Sequence, residues 1–554
     1  MPGLAAVATY ANAVVDLLVF DDRSSLPVPL RAGDGFTASV LRAFRDNPWD
    51  SVRQGVDPYR PLATATLLAD RAIWGVAPRA FHATTVALHA AASVLVFVVA
   101  RALLGSRAWI GPLVASVLFA VHPLHSEVVD CAYNRSEILA TLGVLGALWL
   151  VARASPRDRP RAWLGAGALY AAALCCKESA ATLPALLGLW MVLRAPDQPL
   201  RERLRAAAPS LGGAAVLAAY LGLRFGWARY PTAPRPARVL DPEALAQTLA
   251  AARDGLRWTL WPDPLCVARV DYPADAVPVA VVVLGALLAV AWRLRARLPV
   301  VTYGLLFYVV AFVPSSPLVT RLASAQPVAE RYFYLPTAGL AIALAAALGS
   351  LSRRVRPAAV LAPAAVLCVL LASITRARNE VWHDEVRLLT ANADAQPGSG
   401  GALLFLMNTV RYFRGERAVL ALCNAHRDEA GLRSAQFYVR CAGEFDARGD
   451  ADAAEAFHRR AVESEPTEVA RYTYARILAR RGRIAEADAQ YRAALETMTE
   501  PARRHTFRGE WLFKCHPEQL AEALAEEDAA LAADPRSSIA QDLRRRIAAA
   551  LGAP

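Results

Sequence analysis

The chain has 554 residues, 55% of them hydrophobic and 20% charged, with a mean hydropathy of +0.28 and a net charge of +12. It is too apolar for an ordinary soluble protein and too long for a single domain. The positive charge is concentrated in Arg clusters between apolar runs, a pattern of membrane topology, so no nucleic-acid partner is expected.

Apolar runs fill the chain to about Ile374, and the remainder is charged and Ala-rich. An all-α chain is expected, with a polytopic transmembrane bundle over 1–376 and a soluble domain over 377–554. Eleven spans are read, centred on Leu4–Phe20, Phe81–Leu104, Trp109–Val121, Ser136–Val151, Leu164–Cys175, Thr182–Leu193, Leu211–Leu223, Val277–Trp292, Leu298–Val313, Phe333–Leu348 and Ala358–Ile374. Several are shorter than the ~20 residues a bilayer needs, a shortfall that snorkelling Arg and Trp at their ends can make up. The first has no basic residue before it, so it lacks the leading region of a cleavable signal peptide and is compatible with a start codon upstream.

Five alternate short loops, "RALLGSRAW", "RASPRDRPRAW", "RAPDQPLRERLR", "RLRAR" and "SRRVR", are dense in Arg. The positive-inside rule puts them in the cytoplasm, with the N-terminus inside and everything after Ile374 outside. In "DPEALAQTLAAARDGLRWTLWPDP" (241–264), Leu245, Leu249, Leu256 and Leu260 share a helical face, with Glu243 and Asp254 opposite. Arg253 and Arg257 sit at the edge of that face, which predicts an interfacial helix and not a span.

After the spans, "GDADAAEAFHRRAVESEP" (449–466) places Ala454, Phe457, Ala461 and Pro466 at the small, aromatic, small and terminator positions of a tetratricopeptide repeat. "GRIAEADAQYRAAL" (482–495) repeats the pattern with Ala487, Tyr491 and Ala494, 33 residues on. A fainter echo ends at Pro535, and degenerate copies are expected over 380–445. Such arrays present a concave surface to an extended peptide or partner protein. The eight cysteines form no C-x-x-C pair, so neither a zinc nor a thioredoxin-like site is indicated; Cys131 and Cys266 would meet if both loops faced an oxidising side.

Unusual polar residues collect in the outer loops. They are Asp21 and Asp22 of "VFDD"; Tyr59 and Arg60 of "DPYRPL"; His122, His125, Glu127, Asn134, Arg135 and Glu137; Lys177 and Glu178 of "CCKESA"; Arg257, Trp258, Trp261 and Asp271; and Ser315, Ser316, Arg321, Glu330, Arg331, Tyr332 and Tyr334. Taken singly, an acid beside a span can mark the interface, and Tyr332 and Tyr334 fit an aromatic belt. Convergence on one membrane face favours chemistry there, whereas a transporter would need polar or broken helices near the midplane. The chemistry indicated is transfer from a lipid-linked donor. Arg and Lys at helix ends pair with its phosphate, and a carboxylate takes the proton of an acceptor hydroxyl. No Gly-rich loop points to a soluble nucleotide donor. His122, His125 and Glu127 are candidate ligands, with the Asp pair, for a divalent metal.

The motifs "VFDD", "YRPL", "FHATTVALH", "LFAVHPLHSEVV…NRSEILA", "CCKESAATLP", "AERYFYLP" and "RNEVWHDEVRLL", in this order, resemble those of the TMTC family of transmembrane, tetratricopeptide-repeat-containing O-mannosyltransferases and their bacterial relatives of GT-C fold. The resemblance implies an inverting transferase using a polyprenyl-phosphate sugar, with mannose as the family's sugar and an exported protein as acceptor. By that similarity Asp21 is the base or acceptor-positioning carboxylate, with Asp22 beside it. Arg331 and Lys177 then face the donor phosphate, with Arg60 as a further cation. Glu330, Tyr59 and Arg135 are the acceptor or supporting side chains. Localisation in a bacterial inner membrane with periplasmic repeats follows. The alternative is a non-catalytic membrane scaffold whose repeats recruit periplasmic proteins.

Overall fold

The computed structural model describes residues 1–26, 35–46, 59–105, 108–155, 157–228, 242–269, 272, 276–320, 328–429 and 431–552; Asp271 and Arg321 lie outside them. Two compact units emerge, Met1–Ala395 and Gln396–Pro554. Among the described residues all regular structure is helical, apart from two isolated β-bridges.

Seven helices in the first unit are long and apolar enough to cross a membrane: Pro78–Leu104, Ala132–Arg153, Leu200–Trp227, Ala276–Leu294, Pro299–Val319, Glu330–Leu351 and Pro357–Val381. An eighth span is available if Ile110–Ala120 and Pro123–Asp130, bent by 51°, are counted as one. Pro123 explains the break, because its ring cannot continue the hydrogen-bond ladder. Proline also opens several helices, at Pro78, Pro299 and Pro357, where its missing N–H costs nothing.

The other expected spans fall on shorter elements. Thr182–Leu193 belongs to a shorter apolar helix, Glu178–Leu193, and Leu164–Cys175 to a 16-residue helix, Arg159–Leu174. Leu4–Phe20 is helical only over Pro2–Thr9 before a short 3-10 turn at Ala11–Ala13. Within and after that turn, the carbonyls of Asn12 and Leu17 are met by His383 Nε2 at 3.0 Å and His82 Nε2 at 2.9 Å instead of by a helical ladder.

Glu330–Leu351 is the central helix. Glycines bring its backbone against two neighbours: a Cβ on Gly304 would lie 2.4 Å from the Gly339 carbonyl, and one on Gly111 would lie 2.1 Å from that of Ala345. Small residues permit the same close approach wherever helices pack in lipid. Ala276–Leu294 and Pro357–Val381 are peripheral, exposing Val281, Val282, Val366 and Val369, as lipid contact requires. The unit continues past 376 because Pro357–Val381 runs unbroken through that point. The next helix, Glu385–Asp394, is tied back by Glu385 to Phe20 and Arg23, and by Asn392 to Ala268.

The second unit is an α-solenoid of consecutive helix pairs, among them Ala435–Asp446 with Ala451–Ser464, Glu468–Arg480 with Ile484–Thr497, and Pro501–Cys515 with Leu520–Ala533. Ser434, Asp450 and Thr467 cap helices by accepting backbone N–H groups. Gly449 and Gly482 occupy the left-handed turn region at φ 77° and 75°. The repeat positions Ala454, Phe457, Ala461, Ala487, Tyr491 and Ala494 are all buried, and so are Ala523 and Ala530 of the fainter echo.

Cys423 and Cys441 form a disulfide between helices Glu416–Ala425 and Ala435–Asp446, with Cα atoms 5.6 Å apart. Sequence reasoning missed this bond because an isolated pair 18 residues apart carries no motif. The suggested Cys131–Cys266 pairing is corrected: both thiols are free and buried, Cys131 against Asp22 Oδ1 (3.4 Å) and Cys266 against Asn392 Oδ1 (3.3 Å). Closing the Cys423–Cys441 loop, with a sequence separation of 18, stabilises by about 3 kcal/mol in the chain-entropy account. Reductant is therefore expected to lower the unfolding temperature of the full-length protein, and the Cys423→Ser, Cys441→Ser variant should match the reduced protein without responding further.

Candidate functional site

The polar motifs between the apolar runs meet in the first unit, but not as one pocket of free charges. Phe20 adopts φ 58°, the one positive-φ residue other than glycine among those described. Its N–H donates to Glu385 Oε2 (3.2 Å), and Arg23 forks onto the same carboxylate at 2.9 and 3.0 Å. This clamp sets the direction of the short helix Asp21–Ser25. A strained φ held by surrounding contacts is typical of functional sites.

The two aspartates then part. Asp22 is fully buried, and its carboxylate accepts the N–H groups of Ala132 (2.8 Å) and Tyr133 (2.7 Å) and the Cys131 thiol. Burial pushes its carboxyl up, against the opposing pull of His82 and the two N–H groups. Asp22 is thus an anchor between the first loop and the 131–133 segment. Asp21 is half-buried and acts electrostatically on both Glu127 and Arg331.

Arg331 stands in the first turn of the central helix. Its backbone N–H donates to Glu127 Oε2 (2.8 Å), and its guanidinium pairs with Glu127 Oε1. Glu127 is fully buried, whereas Arg331 keeps 17% of its side chain exposed. Beside them Glu330, fully buried, pairs with Arg378 at 2.9 Å. Asp21, Glu127 and Arg331 make a cluster of two carboxylates and one guanidinium, with Asp21 the more accessible acid.

The other two phosphate candidates are also paired. Lys177 Nζ lies 2.6 Å from Glu137 Oε2, with both groups buried, and 5.5 Å from the Tyr332 ring. Burial pushes the Lys177 ammonium down and Glu137 opposes this. Arg60 forks onto Glu178 at 2.5 and 3.2 Å. Arg135 is buried on Asp70 (2.5 Å) and donates to the carbonyls of Phe81 and Ala132, so it braces the loop. Tyr59 turns its hydroxyl to the Phe44 carbonyl and its ring to Tyr220. Neither Arg135 nor Tyr59 is brought to the Asp21 cluster by any of these contacts.

The metal expectation is corrected. Among the described residues no group of three His, Cys, Asp or Glu side chains is arranged to hold an ion. His125 spends its nitrogens on the Phe119 carbonyl (2.9 Å) and the Thr337 hydroxyl (3.0 Å). His122 spends its own on Thr259 O and Leu124 N–H, and Glu127 faces Arg331. Glu385, Arg378 and Asp130 escaped the candidate set. Glu385 and Arg378 were within reach, because both stand in the "RNEVWHDEVRLL" motif.

An apolar helical bundle with a half-buried acid beside a buried carboxylate–guanidinium pair, in one chain with a repeat solenoid, describes an integral membrane protein. Residues 61–222 match the dolichyl-phosphate-mannose-protein mannosyltransferase family. The chain is a relative of the TMTC protein O-mannosyl-transferases. It is 36% identical over 195 residues to Tmtc1 of Drosophila melanogaster (34% of this chain, 22% of the relative). With Tmtc2 of the same organism it is 34% identical over 220 residues (37% and 23%), and with TMTC4 of Mus musculus 24% over 406 residues (61% and 54%). The chain thus spans about a fifth of the length of the first curated relatives it matches. Among solved structures, the Cut9–Hcn1 hetero-tetramer of APC/C aligns over 88% of this chain and 93% of its own at 14% identity. Its TM-score of 0.25 is too low to indicate a shared fold.

Proposed function

We propose that this chain is an inverting glycosyltransferase that moves a sugar, mannose as the first choice, from a polyprenyl phosphate to a protein hydroxyl at the outer face of a bacterial inner membrane. The observation that carries the reading is Asp21, half-buried beside the Glu127–Arg331 pair, in a relative of protein O-mannosyl-transferases. Asp21 takes the proton of the acceptor hydroxyl as its oxygen attacks the anomeric carbon. The sugar–phosphate bond breaks on the opposite face, and the phosphate leaves with the electron pair, stabilised by cations. Glu127 holds Arg331 in place beside Asp21. The repeats hold the acceptor.

The Arg-rich loops support an outward location for the repeats, and so does the Cys423–Cys441 bond, since disulfides persist in oxidising compartments. The test is full-length protein in liposomes, given polyprenyl-phosphate mannose and peptides from exported proteins that carry hexose only when the gene is present. Mannosylated peptide of α-configuration from a β-linked donor is the expected product. No transfer to any such peptide, with the donor bound and intact, would favour the scaffold.

A further inference from the structure

The three cations expected to face the donor phosphate each already hold a carboxylate of their own: Arg331 with Glu127, Lys177 with Glu137 and Arg60 with Glu178. A second cationic group is not balanced in this way. On helix Pro242–Leu260, Arg253 forks onto Asp254 Oδ1 at 3.0 and 2.6 Å. Arg269 approaches the other oxygen of the same carboxylate at 3.6 Å. Arg257 reaches only backbone, the carbonyls of Asp263 (3.2 Å) and Pro264 (3.0 Å), and Asp263 itself is exposed. Two guanidinium groups therefore crowd one buried carboxylate, with the Arg257 guanidinium near them. Among the described residues two buried donors beside them, Arg269 Nε and Tyr272 Oη, lack hydrogen-bond partners, a costly state for buried polar atoms.

The cluster is fastened to the segment that carries the candidate site. Arg269 and Val328 exchange backbone hydrogen bonds at 2.6 and 3.2 Å, two residues before Glu330. Gly255 is packed so closely that a Cβ there would lie 2.1 Å from the Phe333 ring, and Trp258 meets the same ring edge-on at 5.8 Å. Cys266 senses both Arg269 and Glu330 electrostatically. At the end of the helix, Leu260 and Trp261 are 81% and 70% exposed, an apolar surface suited to the membrane interface. The sequence places Arg253 and Arg257 at the edge of the leucine face as snorkelling residues, with Asp254 opposite that face; instead Asp254 is buried and draws two arginines onto itself.

We propose that Arg253, Arg257, Arg269 and Tyr272 form an anion site for the phosphate of an isoprenyl lipid whose chain lies against Leu260 and Trp261. Naming that lipid the sugar donor rests on the glycosyltransferase reading. Asp254 holds two of the guanidinium groups in register, and the surplus positive charge meets the phosphate. The phosphate of an ordinary phospholipid headgroup offers the same chemistry, so the experiment separates the two.

The measurement is calorimetric titration of full-length protein in lipid nanodiscs with a short-chain isoprenyl phosphate and with the matching isoprenol, with and without phosphatidylglycerol in the disc. Isoprenyl phosphate is expected to bind more tightly than isoprenol and to survive phosphatidylglycerol. The Arg257→Gln, Arg269→Gln variant should weaken isoprenyl phosphate by about tenfold or more while leaving isoprenol unchanged. Unchanged affinity in the folded double variant would overturn the site, and equal competition by phosphatidylglycerol would overturn its assignment to an isoprenyl lipid. If the double variant does not fold, Arg257→Gln alone, which gives up only two carbonyl contacts, should still weaken binding several-fold, and no change would overturn the site. Binding through the cluster without sugar transfer would leave the site standing and remove the proposed function. Transfer with unaltered binding in the variant would do the reverse.

Discussion

Asp21→Asn is expected to lower sugar transfer by about 10²- to 10⁴-fold, the usual cost of removing a general base, while Asp22→Asn is expected to act on stability instead. The two substitutions are chemically identical and one residue apart, so the contrast isolates environment. Asn at 21 keeps shape and polarity but cannot take the acceptor proton; insertion and donor binding should be retained. Asn at 22 can still accept one of the Ala132 and Tyr133 N–H groups, but its own NH2 then faces the other. Leaving one buried donor unmet costs about 1–3 kcal/mol. Transfer per folded molecule should therefore stay within a few-fold of wild type for Asp22→Asn. Transfer measured at matched membrane abundance, together with thermal unfolding in detergent, reads both effects. Near-normal transfer by Asp21→Asn would defeat the assigned base.

The second large effect concerns Lys177. Lys177→Ala leaves the Glu137 carboxylate buried without its cation, and breaking such a pair from one side costs about 3–5 kcal/mol. Among the described residues one Glu137 oxygen already lacks a partner, and Ser179 reaches the other only at 3.4 Å, so little local compensation is at hand. The Lys177→Met, Glu137→Leu double variant removes both charges and keeps the volume, and is expected to recover most of the lost stability. Because Lys177 is only 2% exposed, the recovered protein should bind a polyprenyl-phosphate sugar with nearly unchanged affinity. A large rise in the donor KM of that stable variant would return Lys177 to the phosphate site.

The order of the long helices, the repeat register and the motifs that converge in the first unit were all legible in the sequence, because each rests on periodicity or local composition. Ala454, Phe457 and Ala461 must be buried once the helix forms, since they share one face. The Leu4–Phe20 span was read less well. Apolar composition over Leu4–Phe20 gave no sign that His82 and His383 would capture its carbonyls from other parts of the chain. Nor did "HPLHSE" reveal that its histidine nitrogens would be used up by Phe119, Thr337 and Thr259.

By itself the sequence determined an integral membrane bundle with a helical repeat tail, and it gathered acids and bases into a few motifs between apolar runs. Only the tertiary structure decided which charge meets which. Adjacent residues on a helix point about 100° apart. On Asp21–Ser25 that single step turns Asp22 into the protein against two backbone N–H groups and leaves Asp21 half-exposed beside Arg331. The same physics pairs Lys177, Arg60 and Arg331 with separate carboxylates while crowding Arg253 and Arg269 onto one. Net charge is a property of composition, but the charge left over at a given point depends on distances of a few ångströms between segments far apart in the chain.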